Sequence, residues 1–247
     1  MWRAAFLIIL GLFATVQQSA SMKPEDSALV KKLISETAGI DPVSRRMEYI
    51  SERFLGRKYI SHPLIGSATD PEALVTRMDG FDCVTFVETV LAIAHARSQD
   101  QFIKNLIAIR YRDGKVEWRN RLHYATDWAA YNCNRGLLSD ITNGPDSAVR
   151  DKLLSLVKGL DSHPAEYNYF PKKAFLRQSL LMKSGDIIFF TSGRNGLDTN
   201  HMGLIIRKED KLYLRNASQS HGSVNDEELA EYFRLNKMTG FIINRPK

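Results

Sequence analysis

One short stretch of the sequence combines a nucleophile with a helix signal. GFDCVTFVETVLAIAHA, residues 80–96, places Cys83 directly before a long apolar run. Asp82 is a preferred N-cap residue, although Thr85 stands where Glu or Gln would complete a capping box. Cys83 then falls in the first helical turn, where unpaired N–H groups and the helix dipole favour an anion and can receive an oxyanion. Because a helix N-terminus and a neighbouring imidazolium lower a thiol pKa from ~8.5 to roughly 3.5–7.5, the segment predicts a reactive thiolate.

The second cysteine offers a different interpretation of the first. Cys133, in YNCNRG, is the only other cysteine of the 247-residue chain. In an oxidising compartment two cysteines often pair as a structural disulfide. Composition therefore leaves a Cys83–Cys133 bridge and a free nucleophile as open alternatives.

A cysteine nucleophile needs a base, and His201 has the strongest signal among the six histidines. It begins a predicted strand directly after a polar loop. Gly203, two residues later, is small enough to allow a close approach by another backbone. We therefore expect His201 to be the base.

The predicted strand register places a third polar residue beside this histidine. If the turn KEDK pairs Arg207 with Leu212, Asn216 lies diagonally across from His201 on the same face of the sheet. An asparagine in that place holds the imidazole tautomer, as the third member of a Cys-His-Asn arrangement does. Ser218, directly opposite His201, is the competing partner.

The regular patterns predict helices first and strands later. Apolar residues recur at helical spacing in DSALVKKLISETAG and DPVSRRMEYISERFLG, residues 26–39 and 41–56. In the last third, GDIIFFTS, HMGLIIR and KLYLRNAS are short strands joined by polar turns, which predicts an antiparallel meander. This order indicates the α+β class.

Three segments between these regions have weaker patterns. Residues 102–118 alternate loosely, and Asp113-Gly114 predicts a hairpin turn there. The aromatic segment HPAEYNYFPKK, residues 163–173, predicts a loop. A helix is predicted to carry the apolar residues Val149, Leu153, Leu156, Val157 and Leu160.

The first residues predict export. Arg3 precedes an apolar run, residues 4–16, and small residues follow before the polarity changes, which is typical of a signal peptide at residues 1–21. The run is shorter than the ~18 residues of a membrane-spanning helix, so we expect no stable membrane insertion after signal removal. Residues 22–247 are expected to form one domain with one core, in a periplasmic or secreted protein.

Charge and motifs argue against several other classes of protein. The formal net charge is +6, but the basic residues are interspersed and form no concentrated stripe, so we expect no nucleic-acid partner. The chain lacks an HExxH signature, and Asp198 with His201 is a spacing that arises by chance in loops. We therefore expect no metal and no cofactor.

Several of these segments together resemble a known superfamily. DCVTFVE, followed downstream by GDIIFF, HMGLII and LRNAS, is similar to the NlpC/p60 superfamily of papain-like cell-wall peptidases and amidases, with FLGRKY and NRLHYATDW extending the match. Within it, the pattern is most similar to a branch of exported N-acetylmuramoyl-L-alanine amidases. The resemblance implies Cys83 as nucleophile, His201 as general base and then acid, and Asn216 as orienting residue. It also implies a papain-like core in which the cysteine helix packs on the C-terminal antiparallel sheet.

NRLHYATDW supplies candidates for substrate binding. Its charged and aromatic side chains suit recognition of a carboxylated sugar-peptide. Arg121 is suited to binding a substrate carboxylate. The Tyr124 hydroxyl is suited to donating a hydrogen bond to the oxyanion. Asp127 and Trp128 complete the predicted binding set.

The sequence therefore predicts an exported cysteine amidase that cleaves the N-acetylmuramoyl-L-alanine bond of peptidoglycan or muropeptides. The first alternative is an endopeptidase of the same fold that cuts between D-glutamate and the diamino acid. The second is a noncatalytic wall-binding module held by a Cys83–Cys133 disulfide.

Overall fold

A computed structural model of the chain describes residues 22–247, and the predicted signal peptide at residues 1–21 lies outside the described residues. The helices are α1 (Pro24–Thr37), α2 (Val43–Glu52), α3 (Cys83–Ala94), α4 (Gln99–Arg110), α5 (Ala125–Asn134), α6 (Phe175–Gln178) and α7 (Leu229–Leu235). The strands are β1 (Lys58–Tyr59), β2 (Gly80–Phe81), β3 (Leu138–Asp140), β4 (Ala148–Leu154), β5 (His163–Pro171), β6 (Ile187–Thr191), β7 (Thr199–Lys208), β8 (Lys211–Ser218), β9 (Ser223–Glu228) and β10 (Gly240–Pro246). Within this range no helix has both the length and the apolar character needed to cross a bilayer.

The strands form a mixed sheet that is mostly antiparallel. Its order is β2-β1-β9-β8-β7-β6-β10-β5-β4, and β3 pairs with β10 off this path. Among the described strands, β1 and β2 pair in parallel, whereas the meander β6-β7-β8-β9 is antiparallel. Five α-helices lie in residues 22–134 and most of the strand residues follow them, so the predicted α+β class is confirmed.

Both faces of the central strand β6 are covered. Ile187 and Phe189 belong to one buried cluster, which also contains α1 to α4, while Ile188 and Phe190 belong to a second cluster with α6 and α7. Since successive side chains of a strand point to opposite faces, burial on both faces requires a continuous apolar run. The run IIFF meets that requirement.

Helix α3 is the central helix of the first cluster. Its residues 85–94 are buried because α1, α2 and α4 pack around it and β7 and β8 lie against it. A helix with mostly apolar residues around its circumference is typical of such a position. The packing fixes its N-terminus, where Cys83 lies, against strand β7.

The predicted register of the meander is confirmed. Arg207 pairs with Leu212 across the β7–β8 turn. The expected close approach at Gly203 is also present, because a Cβ atom there would lie 2.8 Å from the Arg215 carbonyl oxygen and 3.0 Å from Asn216 Cβ. Strand β8 therefore packs closely on β7 at the level of Asn216.

The hairpin predicted within residues 102–118 is wrong. Helix α4 occupies this segment up to Arg110, and Asp113-Gly114 lies in a 3-10 turn with positive φ at both residues. The buried side chains of α4 are spaced four and three residues apart, which is the helical period. They include Phe102, Leu106 and Ile109.

The predictions for residues 149–160 and 163–173 are also wrong. Strand β4 occupies the start of the predicted helix, and strand β5 occupies most of the predicted loop. The two pair from Ala148–Tyr169 to Leu154–His163. Val149 and Leu153 are four residues apart, a spacing that puts them on one face of either a helix or a strand. The apolar pattern therefore could not distinguish the two structures.

Candidate active site

Cys83 is the first residue of α3, and the capping of this helix is complete. The Asp82 carboxylate accepts a hydrogen bond from Thr85 N–H at 2.8 Å, and Thr85 Oγ1 accepts one from Asp82 N–H at 3.0 Å. The expectation of an incomplete capping box is therefore wrong, because the threonine hydroxyl replaces the longer Glu or Gln side chain. The cap fixes the first turn and leaves the N–H groups of Cys83 and Val84 without helical partners.

Both cysteines are free. Cys133 lies on α5, where its sulfur accepts a hydrogen bond from Asn244 Nδ2 at 3.5 Å, whereas Cys83 lies beside β7. The predicted alternative of a Cys83–Cys133 disulfide is therefore wrong in this structure.

Opposing influences act on the pKa of the Cys83 thiol. Backbone N–H groups of Met202, Val84 and Cys83 itself favour the thiolate. Burial opposes them and raises the pKa of Cys83 to about 12, and the Asp82 carboxylate adds to the rise. The direction is opposite to the expected lowering of the thiol pKa, because burial disfavours the charged sulfur more than the N–H groups favour it.

His201 is oriented by Asn216, as predicted from the register. His201 Nε2 lies 2.8 Å from Asn216 Oδ1. The fully buried Asn216 turns its amide nitrogen to the Glu227 carboxylate, at 3.1 Å. Because a carboxylate only accepts, the amide oxygen must face the histidine, so Nε2–H donates and Nδ1 is left as the acceptor. Ser218, the competing partner, instead shares hydrogen bonds with Ser220 and His221 at 3.0 Å.

The imidazole of His201 is largely buried. Its ring lies 6.3 Å from the Phe190 ring at an interplanar angle of 14° and 6.1 Å from the Tyr232 ring at 28°. Burial lowers the pKa of His201, while the Asn216 hydrogen bond and the Glu227 carboxylate act in the opposite direction. The ring is therefore neutral at pH 7 and able to accept a proton.

Cys83 and His201 line the same small cavity, of about 130 Å³. Trp128 and His123 form part of its wall, and the loop before β7 closes another side. Ligand pockets typically measure roughly 300–1,000 Å³. The cavity therefore accommodates a reacting group and its nearest atoms, with the rest of a larger substrate outside.

Asp198 connects the loop before β7 to helix α5. Its Oδ2 accepts hydrogen bonds from Thr126 N–H at 2.7 Å and from Thr126 Oγ1 at 2.9 Å, and its Oδ1 accepts one from Thr199 N–H at 2.7 Å. Burial raises the pKa of Asp198. The carboxylate holds the start of the strand that carries His201 against α5. In residues 22–247 no group of three or more His, Cys, Asp or Glu side chains is arranged to hold a metal ion.

Arg121, predicted to bind a substrate carboxylate, is engaged inside the protein. Its guanidinium forms a two-point ion pair with Glu72, with Nε donating at 3.1 Å, and it also donates to the Ile65 carbonyl at 2.9 Å. Tyr111 donates to the same Glu72 at 2.6 Å. The structure therefore assigns Arg121 to a structural ion pair, because Glu72 neutralises its charge.

The other predicted binding residues occupy three different surroundings. The Tyr124 hydroxyl is buried and accepts a hydrogen bond from Val157 N–H at 3.0 Å, and Tyr124 does not line the thiol cavity. Trp128 is 1% exposed and lines the inner wall of the thiol cavity. Asp127 lies 2.9 Å from His163 Nε2, on the wall of a second cavity.

This second cavity adjoins the thiol cavity. It measures about 400 Å³ and shares Leu122 and His123 with the smaller cavity. Arg112 and Arg119, both exposed, line it together with the Asp127–His163 pair, and Arg121, paired with Glu72, also lies on its wall. The two cavities therefore lie next to each other, and cationic side chains line the larger one.

Sequence reasoning missed Glu227 and Tyr59. Glu227 lies on β9, next to β8, and no local motif indicates its contact with Asn216. Tyr59 is the last residue of FLGRKY and pairs with Phe81 in the parallel β1–β2 ladder. Phe81 precedes Cys83 by two residues. Burial and then the charge of the nearby Cys83 raise the pKa of Tyr59, whereas a hydrogen bond with Ser61 acts in the opposite direction.

Comparison with known proteins indicates an amidase-like hydrolase. The chain belongs to the AmiA-like, N-acetylmuramoyl-L-alanine amidase-like family, whose model matches residues 49–241. A comparison with curated proteins gives no match.

Solved structures agree with this family. An N-acetylmuramoyl-L-alanine amidase from Bacteroides uniformis is 31% identical, with a TM-score of 0.74 over 83% of this chain and 99% of its own. A second structure of an amidase from that organism is 32% identical, with a TM-score of 0.75 over the same shares of the two chains. Protein LPG0564 from Legionella pneumophila is 26% identical, with a TM-score of 0.80 over 90% of this chain and 94% of its own.

Proposed function

We propose that the protein is a cysteine amidase that hydrolyses the N-acetylmuramoyl-L-alanine bond of peptidoglycan or muropeptides. The observation that carries this proposal is the cavity shared by Cys83 and His201, with His201 oriented by Asn216. A nucleophile, a base and a residue that orients the base are the elements of nucleophilic amide hydrolysis. Membership of the amidase-like family supports the choice of bond.

The reaction starts from a neutral pair, because burial raises the pKa of Cys83 and lowers that of His201. Since His201 Nε2 donates to Asn216, Nδ1 accepts the thiol proton as sulfur attacks the lactyl carbonyl carbon. A C–S bond forms, and the carbonyl oxygen becomes an oxyanion. The imidazolium formed in this step is stabilised through Asn216, whose amide nitrogen is held by the Glu227 carboxylate.

The oxyanion has two donors close to Cys83. The first is the Cys83 N–H at the N-terminus of α3, which has no helical partner. The second is the Tyr59 hydroxyl, whose raised pKa keeps it protonated. Tyr59 replaces the buried Tyr124 in this role. Losing one such donor typically costs ~2.7–4 kcal/mol of transition-state stabilisation.

His201 then completes both halves of the reaction. It returns the proton to the alanine nitrogen, the C–N bond breaks, and a thioester joins Cys83 to the lactyl group. Water attacks the thioester, gives a proton to His201 and releases the lactyl carboxylic acid, and the proton returns to sulfur. These steps need no metal and no organic cofactor.

The two adjoining cavities suit a substrate that is larger than its reacting bond. The thiol cavity takes the lactyl-alanyl amide, and the larger cavity takes part of the stem peptide. Arg112 and Arg119 are available there for peptide carboxylates, whereas Arg121 is paired with Glu72. Trp128 acts as the wall of the reaction cavity.

We further propose that the chain is a papain-like member of the NlpC/p60 superfamily and is exported. The cysteine helix packed on an antiparallel sheet supports the superfamily assignment. The charged and apolar pattern of residues 1–21 supports a signal peptide, a periplasmic or secreted location, and a single mature domain of residues 22–247.

Digestion of defined muropeptides tests the proposal. We expect the wild-type chain to release an intact stem peptide from the sugar, and Cys83→Ala and His201→Ala to abolish turnover while the chain stays folded. Cys133→Ala is the matched control and should retain activity, because Cys133 lies outside both cavities. Mass spectrometry identifies the cleaved bond.

Two results would contradict the proposal. Cleavage between D-glutamate and the diamino acid, without release of an intact stem peptide, would identify an endopeptidase of the same fold. Equal hydrolysis by wild type and Cys83→Ala would exclude the cysteine mechanism.

A further inference from the structure

A segment about 90 residues after Cys83 in the sequence combines exposed apolar side chains with basic residues. KKAFLRQSLLMK, residues 172–183, contains four basic residues and no acidic residue. Three of its leucines are largely exposed, with Leu176 at 78%, Leu180 at 79% and Leu181 at 64%. The leucine surface is defined here as these three leucines together with the basic residues of the segment, Lys172, Lys173, Arg177 and Lys183.

The exposure of the leucines does not come from a loose segment. Phe175, Gln178 and Met182 of the same segment are buried, and the Phe175 ring stacks on Phe233 with centroids 4.0 Å apart. Arg207 donates to the carbonyls of residues 179 and 182, at 3.0 and 2.9 Å. The segment is therefore fixed from within, and its leucines project away from the body of the protein.

The charges of the leucine surface have one sign. Arg177 pairs with Asp146 at 2.8 Å, but its side chain remains 74% exposed. Lys173 and Lys183 are exposed and form no ion pair with a carboxylate of residues 22–247. Lys172 donates to a backbone carbonyl, that of Asn236. The apolar side chains thus lie among four basic groups, of which only Arg177 is paired with a carboxylate in residues 22–247.

We propose that the leucine surface docks on an anionic lipid bilayer. Apolar side chains that enter the boundary between headgroups and acyl chains, flanked by lysine and arginine, are the arrangement by which proteins bind at a membrane interface without crossing it. Anionic headgroups attract the basic residues, and the leucines supply apolar contact. A bilayer fits this surface better than a second copy does, because two such surfaces facing each other would bring like charges together.

Vesicle co-sedimentation tests the proposal. The full chain is mixed with phosphatidylcholine vesicles or with vesicles that also contain phosphatidylglycerol, and we expect binding mainly to the anionic vesicles. The triple variant Leu176→Ala, Leu180→Ala, Leu181→Ala should bind them at least about tenfold more weakly, because most of the apolar contact is lost. All proteins share residues 1–21, so a difference between them reports the leucine surface.

Matched controls separate the leucine surface from general stickiness and from charge alone. Val149→Ala with Leu153→Ala removes aliphatic side chains that are 62% and 57% exposed on β4, and this variant should bind like wild type. Lys173→Gln with Lys183→Gln should reduce the preference for anionic vesicles.

Three outcomes would overturn the proposal. They are absence of vesicle binding, equal binding by wild type and the triple leucine variant, and self-association in sedimentation velocity that the triple variant abolishes. Muropeptide turnover in solution should match wild type in every variant, which verifies folding. If the wild type shows no turnover, thermal unfolding and circular dichroism verify folding instead, so failure of the proposed activity leaves the vesicle result interpretable.

Discussion

Replacing Asn216 with alanine removes the side chain that orients His201. The Asn216 amide oxygen accepts from His201 Nε2 at 2.8 Å, and the residue is fully buried. Bulk water therefore does not readily replace the missing acceptor. When the thiol proton moves to Nδ1, the ring becomes an imidazolium and the lost hydrogen bond is a charge-assisted one.

The size of the effect follows from that hydrogen bond. Hydrogen bonds to charged groups contribute ~1.5–3 kcal/mol, and about 1.4 kcal/mol corresponds to a tenfold change in rate. We therefore expect kcat/KM of Asn216→Ala to fall by roughly 10- to 150-fold, less than the complete loss expected for Cys83→Ala. The Asn216 hydrogen bond raises the pKa of His201, so its removal lowers that pKa further. The neutral base then persists to lower pH, and the acidic limb of the rate profile moves downward in pH.

The assay is the initial rate of stem-peptide release from a defined muropeptide, followed by chromatography over a range of substrate concentration and pH. Ser218→Ala is the matched control, because Ser218 is the neighbouring polar residue of β8 and its hydroxyl bonds Ser220 and His221 instead of His201. It should retain nearly wild-type kcat/KM. Thermal unfolding of each variant shows whether the fold is intact.

Two results would refute this reasoning. One is a wild-type kcat/KM in a folded Asn216→Ala variant. The other is a loss in Ser218→Ala equal to that in Asn216→Ala, which would mean that the hydrogen bond from His201 to Asn216 is not the functional one.

Three further predictions concern groups around the site. In Glu227→Gln the charge that raises the pKa of His201 is lost, so the acidic limb of kcat/KM should move to lower pH and kcat should fall. In the wild-type chain the buried Arg110 forms an ion pair with Glu88 at 2.7 Å. Glu88→Ala leaves Arg110 without this partner and should reduce the free energy of unfolding in denaturant by ~3–5 kcal/mol. In Gly203→Ala the new methyl group meets the β8 backbone, so both the melting temperature and kcat/KM should fall.

Each of these predictions has a clear contrary result. An unchanged pH profile in Glu227→Gln would show that this carboxylate has no influence on the base. A Glu88→Ala variant as stable as wild type would mean that Arg110 finds another partner or solvent. Wild-type activity and stability in Gly203→Ala would contradict the close packing of β7 on β8.

The sequence predicted the parts of the site that depend on short-range order. A capping residue followed by an apolar run located the start of α3 and Cys83, because capping and helical period act within a few residues. A short turn joined two apolar strands and set their register, and that register placed Asn216 beside His201. The alternation of such strands is decided locally, so the meander was predictable.

Short-range patterns failed where two structures share the same spacing or where partners are distant. Strands β4 and β5 form because they pair with each other and, through β5, with β10, and this pairing is absent from the local pattern of either segment. Arg121 looked available for a ligand until the fold brought Glu72 to it from 49 residues away.

Tertiary structure also decided the charge state of the reacting groups. Helix position alone favoured a thiolate at Cys83, but burial in the folded protein raises its pKa to about 12. Burial likewise lowers the pKa of His201, and Glu227 reaches the site only through the β8–β9 pairing. The sequence by itself determined which residues are nucleophile and base candidates. Their protonation and surroundings depend on burial and on residues distant in the chain, so only the folded structure decides them.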